Sequence, residues 1–110
     1  MSYPLPDILN HYGKAIAKVD GIELKGKSVP NTSINGHMTS FLDKDGVMGL
    51  RLAPGELATF LKEHHTELMD QHGRIMKEFA VVPAAVFNDL DLLVRYMKMS
   101  VTSTKALKPK

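Results

Sequence analysis

The chain contains no cysteine. That excludes a disulfide framework and a thiolate zinc site, so stability has to come from an ordinary packed core. Near its start it also lacks an apolar run long enough for a signal peptide or a membrane-spanning helix, and the expectation is a cytoplasmic protein. Internal repeats and low-complexity tracts are missing as well. Acidic residues are absent from one end: residues 92–110 hold Arg95, Lys98, Lys105, Lys108 and Lys110 and no carboxylate, whereas residues 43–91 sum to −4 and the whole chain to only +2. A basic cluster of this kind attracts phosphates. Lysines in a last helical turn equally suit the helix dipole and keep a frayed tail soluble, so residues from about 104 to 110 read as a flexible basic tail.

Catalytic signatures are scarce. No serine sits in a Gly-x-Ser-x-Gly elbow, and Gly46, Gly49 and Gly55 build no phosphate-cradling loop. Five histidines are the remaining candidates for chemistry. On a helix the adjacent His64 and His65 point about 100° apart. His72 follows at a distance, and no carboxylate pair completes a metal motif such as H-E-x-x-H, so these three read as solvent-facing residues on a polar connection. His37 follows Asn35-Gly36, where glycine permits a tight turn. The Asn35, Gly36 and His37 group is the candidate ligand or contact loop, with His37 reading as a structural hydrogen-bonding residue because no nucleophile or orienting carboxylate is nominated beside it. No cofactor and no metal are expected, and the chain reads as non-enzymatic.

What is present is enough apolar periodicity for one domain. A length of 110 residues accommodates a single core that buries roughly 60–70% of the unfolded surface. Leu5, Ile8, Leu9, Tyr12, Ala15, Ile16 and Val19 recur at helical steps and predict a first helix over about residues 6–19, stopped by Gly21. Residues 22–35 mix signals and read as a short strand followed by a polar loop. Residues 38–42 and 47–52 flank the turn-rich Asp43-Lys44-Asp45-Gly46 and predict a β-hairpin. A second helix is expected over residues 56–64 on Leu57, Phe60 and Leu61. Residues 63–73 read as a polar connection, partly helical through Leu68 and Met69. After a strand over residues 75–82 and a turn over 83–87, Asn88 or Asp89 caps a final helix with the stripe Leu90, Leu93, Val94, Met97, Val101 and Leu107. Strands joined by short turns cannot all be parallel, so this order predicts an α+β fold. Its sheet is mainly antiparallel, with the N-terminal, middle and C-terminal helices packed on one face.

The run Gly73-Arg74-Ile75-Met76-Lys77-Glu78-Phe79-Ala80-Val81-Val82-Pro83 is the most distinctive stretch. Followed by a small-residue turn and a terminal helix, it resembles the N-terminal domain of TfoX/Sxy proteins. Asn31-Thr32-Ser33-Ile34-Asn35-Gly36-His37-Met38-Thr39-Ser40-Phe41, Val47-Met48-Gly49-Leu50-Arg51-Leu52 and the ending Leu107-Lys108-Pro109-Lys110 resemble a stand-alone branch of that family. The resemblance spans nearly the whole chain. It implies the same sheet-and-helix domain, and, because TfoX/Sxy proteins are linked to transcriptional control of competence together with a DNA-binding activator, a regulatory module acting through a protein partner.

Strict alternation along the strands puts apolar side chains on both faces of the sheet. It groups Ile75, Lys77, Phe79 and Val81 against Met76, Glu78, Ala80 and Val82, and groups Met38, Ser40 and Leu42 against His37, Thr39 and Phe41. If helices cover one face, the other is left half apolar, and an exposed apolar patch marks an interface. A homodimer is therefore expected, with Lys77, Glu78, Phe41 and Arg51 as candidate interface residues. Direct nucleic-acid binding through Lys105, Lys108 and Lys110 is the alternative. A small-molecule or enzymatic site near His37 is a third.

Overall fold

Pro6 opens the first helix, α1 (Pro6–Ala17), where its missing amide proton breaks no hydrogen bond, and Asp7 and Lys14 complement the two ends of the helix dipole. The structure is a computed structural model that describes residues 6–26, 29–43, 45–71 and 73–108. The remaining elements are β1 (Asn31–Ile34), β2 (His37–Leu42), β3 (Met48–Arg51), α2 (Pro54–Glu63), β4 (Leu68–Gln71), β5 (Arg74–Val82), α3 (Ala84–Phe87) and α4 (Leu90–Lys105). The strands form one five-stranded antiparallel sheet in the order β1-β2-β3-β5-β4. This is the expected α+β class. Because β5 lies between β3 and β4 and runs against both, β3 and β4 point the same way. Their connection through α2 is the crossover of a split β-α-β unit, and it carries α2 across β5 on the helix-covered face.

Three local readings are corrected by turn geometry. In residues 22–35 the order of strand and loop is reversed: Lys25 makes only an isolated bridge to Asn31, and the strand is the polar run Asn31–Ile34. Asn35 and Gly36 have φ of 54° and 84°, and Ile34 pairs with His37, so this dipeptide is the two-residue type I′ turn that closes β1 on β2. Leu68 and Met69 are strand, not helix. His65 at φ 51° and the Thr66 amide donating to the Leu61 carbonyl (3.0 Å) end α2, and Gly73 at φ 78° folds β4 back on β5. The turn after Pro83 contains the single helical turn α3. Asp89 then caps α4 as expected, its side chain accepting from the Leu92 amide at 3.2 Å.

The face assignments change because two register shifts interrupt the alternation. Partners step from Thr32↔Ser40 to Ser33↔Met38, which leaves Thr39 as an extra residue in β2. The Thr39 and Ser40 hydroxyls both meet the Thr32 hydroxyl at 2.6 Å, so both lie on one side, and Met38 moves to the side of Phe41. In β5 the partner of β4 jumps from Ala80 to Met76 between Leu68 and Met69, and Met76 joins Phe79 and Val81. The second sheet face therefore has a small core of its own. Phe41, Met69 and Phe79 are only 2, 2 and 3% exposed in a single chain, with Met38, Val47, Met76 and Val81 packed around them. The two phenyl rings meet nearly edge-on at 5.6 Å. An open apolar face, the reason for expecting a dimer, is thus not what the fold presents.

The larger core lies on the helix face, where Tyr12, Leu42, Leu50, Phe60, Leu93 and Met97 are buried together. A hydroxyl network is sealed beside it. The Tyr12 and Ser40 hydroxyls meet at 2.7 Å, and the Ser100 hydroxyl donates to the Thr39 carbonyl at 3.3 Å, tying α1 and α4 to the β1-β2 hairpin. Burial pushes the Tyr12 phenol up to about 12, so it stays protonated at neutral pH.

Two substitutions test this framework by urea unfolding. A Cβ on Gly49 would come within 2.5 Å of the Phe41 ring, so Gly49→Ala is expected to lower stability by about 1–3 kcal/mol. His65 is exposed and left-handed, so His65→Gly is expected to raise it by about 0.5–1 kcal/mol. A midpoint unchanged in either variant contradicts the geometry described for that position.

Candidate functional site

The α2 crossover leaves a gap where the helix, the start of β4, the middle of β5 and the last turn of α4 converge. It is a cleft of about 350 Å³, at the small end of the roughly 300–1,000 Å³ typical of ligand sites. Pro54 begins α2 almost directly after β3, which turns Leu52, Ala53 and Pro54 into the corner of the cleft. Leu57, Ala58 and Leu61 line it from α2, and Leu68 from β4. The sixteen residues of α4 reach far enough to add Ser103 and Thr104, with Leu107 just beyond. Lys77 and Glu78 line it from β5. Leu52 and Leu57 are buried whereas Lys77 and Glu78 are exposed, so the charges stand toward solvent and the aliphatic wall lies deeper.

Arg51 organises the charged side. Its Nε donates to the Met38 carbonyl at 2.7 Å and its Nη1 to Glu78 Oε2 at 3.0 Å, while the guanidinium carbon sits 4.9 Å from the Phe79 ring centroid. The Arg51 side chain is 14% exposed and that of Glu78 67%. The ion pair itself contributes only about 0.2–1 kcal/mol at such exposure. The placement matters more: one guanidinium covers an aromatic face of the second core and also holds the Glu78 carboxylate at the cleft. Lys77 has no ion-pair partner among the described residues.

Two hydroxyls line the cleft from α4 and differ in satisfaction. The Ser103 hydroxyl donates to Glu56 Oε1 at 2.7 Å. Thr104 is 1% exposed, and its Oγ1 has no hydrogen-bond partner among the described residues. An unpaired buried hydroxyl is destabilising, and its occurrence in the wall of the cleft is the most unusual polar feature of the site.

Arg51, Lys77 and Glu78, three of the candidate interface residues, do come together here. Phe41 does not: it is enclosed in the second core, because the bulge in β2 and the side-chain-free Gly49 beneath it admit its ring. The candidate loop lies elsewhere. Asn35 and Gly36 are explained by the turn they form, and the His37 imidazole Nε2 contacts the Lys108 carbonyl at 2.7 Å, fastening the chain after α4 to the first hairpin. Thr104 and Lys105 belong to α4, and the Leu107 amide donates to the Thr104 carbonyl at 3.0 Å, so hydrogen bonds tie the basic end to the fold as far as Lys108. Leu5, His72 and Lys110 lie outside the described residues.

Sequence reasoning missed Thr104 and the leucines of α2 as one site. A signal existed in the buried stripe of α4, where Thr104 continues Met97 and Val101 with a hydroxyl in place of an aliphatic group. It also misplaced His64 as solvent-facing. The His64 ring is 17% exposed and its Nε2 meets the Tyr96 hydroxyl at 2.7 Å, which in turn donates to Glu63 Oε1 at 3.3 Å. Desolvation, then the Glu63 carboxylate, push the Tyr96 phenol up. Three or more potential metal ligands do not cluster anywhere among the described residues, and no described helix is long and apolar enough to cross a membrane.

No protein-family model matches the chain, and a search of curated proteins finds no match.

Replacing the unpaired hydroxyl by a methyl of nearly the same shape removes a buried polar group without opening a cavity. Thr104→Val is expected to stabilise the protein by about 1–2 kcal/mol, seen as a higher Tm. A lower Tm means that the hydroxyl is paired.

Proposed function

We propose that the chain is a cytoplasmic, non-enzymatic binding module of the TfoX/Sxy N-terminal type, acting in regulation by contact with another protein. The observation that supports this reading is the half-open edge of β5. Its pairing with β3 covers residues 79–82 only, and the Leu52 amide adds one bond to the Glu78 carbonyl. Among the described residues no strand continues β3 along residues 74–77. An exposed strand edge offers unpaired amides and carbonyls to an incoming extended segment. Ile75, 53% exposed, and the exposed Lys77 and Glu78 supply side chains for a partner to read at that edge. Protein chains that add a strand gain affinity from the backbone and selectivity from such alternating side chains. A second copy of the chain is one candidate partner for the same edge, and a homodimer built there would not require the closed second face.

A second reading, direct nucleic-acid binding, is favoured by a different observation. Arg95, Lys98 and Lys105 are all exposed at helical spacing on α4, so they share one outward stripe. The two readings predict opposite sensitivities. A stripe that neutralises phosphates gives binding whose logarithm falls by about 0.9 per contact with the logarithm of salt concentration. A strand-edge contact shows no such slope.

The expected outcome for the double variant Ile75→Asp, Lys77→Glu is an unchanged unfolding midpoint with partner affinity lowered about tenfold or more, ~1.4 kcal/mol. Binding is measured by titration of the isolated partner, and by sedimentation at tens of micromolar where the partner is a second copy. Undiminished binding in this variant, together with loss on neutralising Lys98 and Lys105, rejects the strand-edge reading in favour of nucleic acid.

A further inference from the structure

The cleft adjoins the open stretch of the β5 edge. We propose that the two form one site, which takes an extended segment of a partner protein along residues 74–77 and receives a large uncharged apolar side chain of that segment in the cleft. This inference rests on the strand-edge reading and adds to it what the partner must carry.

Both vacancies have one origin. β3 ends at Arg51, the Leu52 amide makes one more bond to the Glu78 carbonyl at 3.1 Å, and Pro54 then turns the chain into α2. A strand continuing in the line of β3 would run beside residues 74–77 and direct every second side chain at the helix-covered face. The chain leaves that line at Ala53, so it supplies neither the backbone nor the side chains of such a strand. The cleft lies at this departure: Leu52, Ala53 and Pro54 form its corner, and Lys77 and Glu78 belong to its wall. An incoming segment in the line of β3 replaces the missing strand, and one of its side chains on the helix-covered face enters the cleft.

The lining selects the side chain. Leu57, Ala58 and Leu61 from α2, with Leu68 and Leu107, make it largely aliphatic. Arg51, Lys77, Glu78 and the Glu56 behind Ser103 sum to zero charge, with Arg51 held to Glu78 at 3.0 Å and Glu56 to the Ser103 hydroxyl at 2.7 Å. No charged head is favoured, and removal of apolar surface from water is what rewards an occupant. A free apolar molecule would fill the cleft and leave the strand edge unpaired. A wholly polar segment would pair with the edge and leave the cleft wet. A strand with one leucine-like or phenylalanine-like anchor satisfies both, and its path covers Leu107, 39% exposed in the cleft, and runs beside Ile75, 53% exposed on the edge.

The test selects displayed random octapeptides on the immobilised full chain, then titrates the selected peptide, capped at both ends, by amide NMR. Expected is enrichment of leucine, isoleucine, methionine or phenylalanine at one anchor position. Shifts are expected at Ile75, Lys77 and Glu78 on the edge and at Ala58, Leu61 and Leu107 in the cleft. Alanine at the anchor is expected to lower affinity about tenfold or more, as is N-methylation of alternate peptide amides in one of the two registers. Ala58 and Leu107 are exposed, so Ala58→Phe, which fills the cleft, and Leu107→Asp leave the core intact and are expected to give the same loss. If methylation abolishes binding while the alanine peptide and both variants bind undiminished, the strand-edge reading stands and the anchor fails. If methylation in either register is harmless while Ala58→Phe abolishes binding, the cleft takes apolar groups without strand addition, and both fail. Absence of enrichment, or shifts confined to other surfaces, overturns the inference. Concentration-dependent shifts at these residues in the chain alone, removed by Ala58→Phe, make a second copy the occupant and overturn the assignment to a partner.

Discussion

Backbone pairing of β5 with β3 on one side and β4 on the other dictates where everything else in this protein lies. Inserting the last strand between two that are earlier in the chain forces the connection from β3 to β4 to pass over it, and a helix is the compact way to satisfy the backbone groups of that connection. That helix, α2, then has to cross the sheet on the face already covered by α1 and α4. The cleft is the space left where the crossover and the end of α4 fail to meet. Its leucines come from α2, β4 and the residues just after β3 and α4, its charges from β3 and β5 and its hydroxyls from α4, so no short segment of the chain contains it.

The same insertion explains how a sheet with helices on one face avoids an open apolar surface on the other. Register shifts at Thr39 and after Leu68 bring Met38 and Met76 around Phe41, Met69 and Phe79. Arg51 closes the edge of that group, stacked beside Phe79 while hydrogen-bonded to the Met38 carbonyl and to Glu78. The two sides of the molecule are thereby linked: the arginine that finishes the second core is also the one that orients the carboxylate beside the cleft. Of the three charged residues lining the cleft, Lys77 is the one left outside an ion pair.

Buried polar groups in this fold are otherwise well used. The Tyr12, Ser40, Thr32 and Thr39 hydroxyls satisfy one another and, with Ser100, bind the first hairpin to two helices. Against that background the unpaired Thr104 stands out. Groups that break local consistency without a structural return concentrate at binding sites, and this one lines the cleft.

Much of the architecture was legible in the chain itself. The helical stripes of α1, α2 and α4, the Asp89 cap, the β2-β3 hairpin and the β5 strand all follow from periodicity and turn chemistry over a few residues, which is where local sterics and hydrogen bonding act. Even the misread first hairpin carried its signal in Asn35-Gly36, since Asn-Gly suits the two left-handed positions of a type I′ turn. By itself, then, the sequence determined the types of most elements, the antiparallel α+β class and the gathering of basic residues toward one end. Tertiary structure alone decided that Leu68 and Met69 are strand, that bulges carry Met38 and Met76 to the face of Phe41, and that Arg51, Lys77 and Glu78 meet Thr104 across one cleft. Those outcomes depend on strand order and register, which are selected by burial summed over residues far apart in sequence, and no local pattern encodes such a sum.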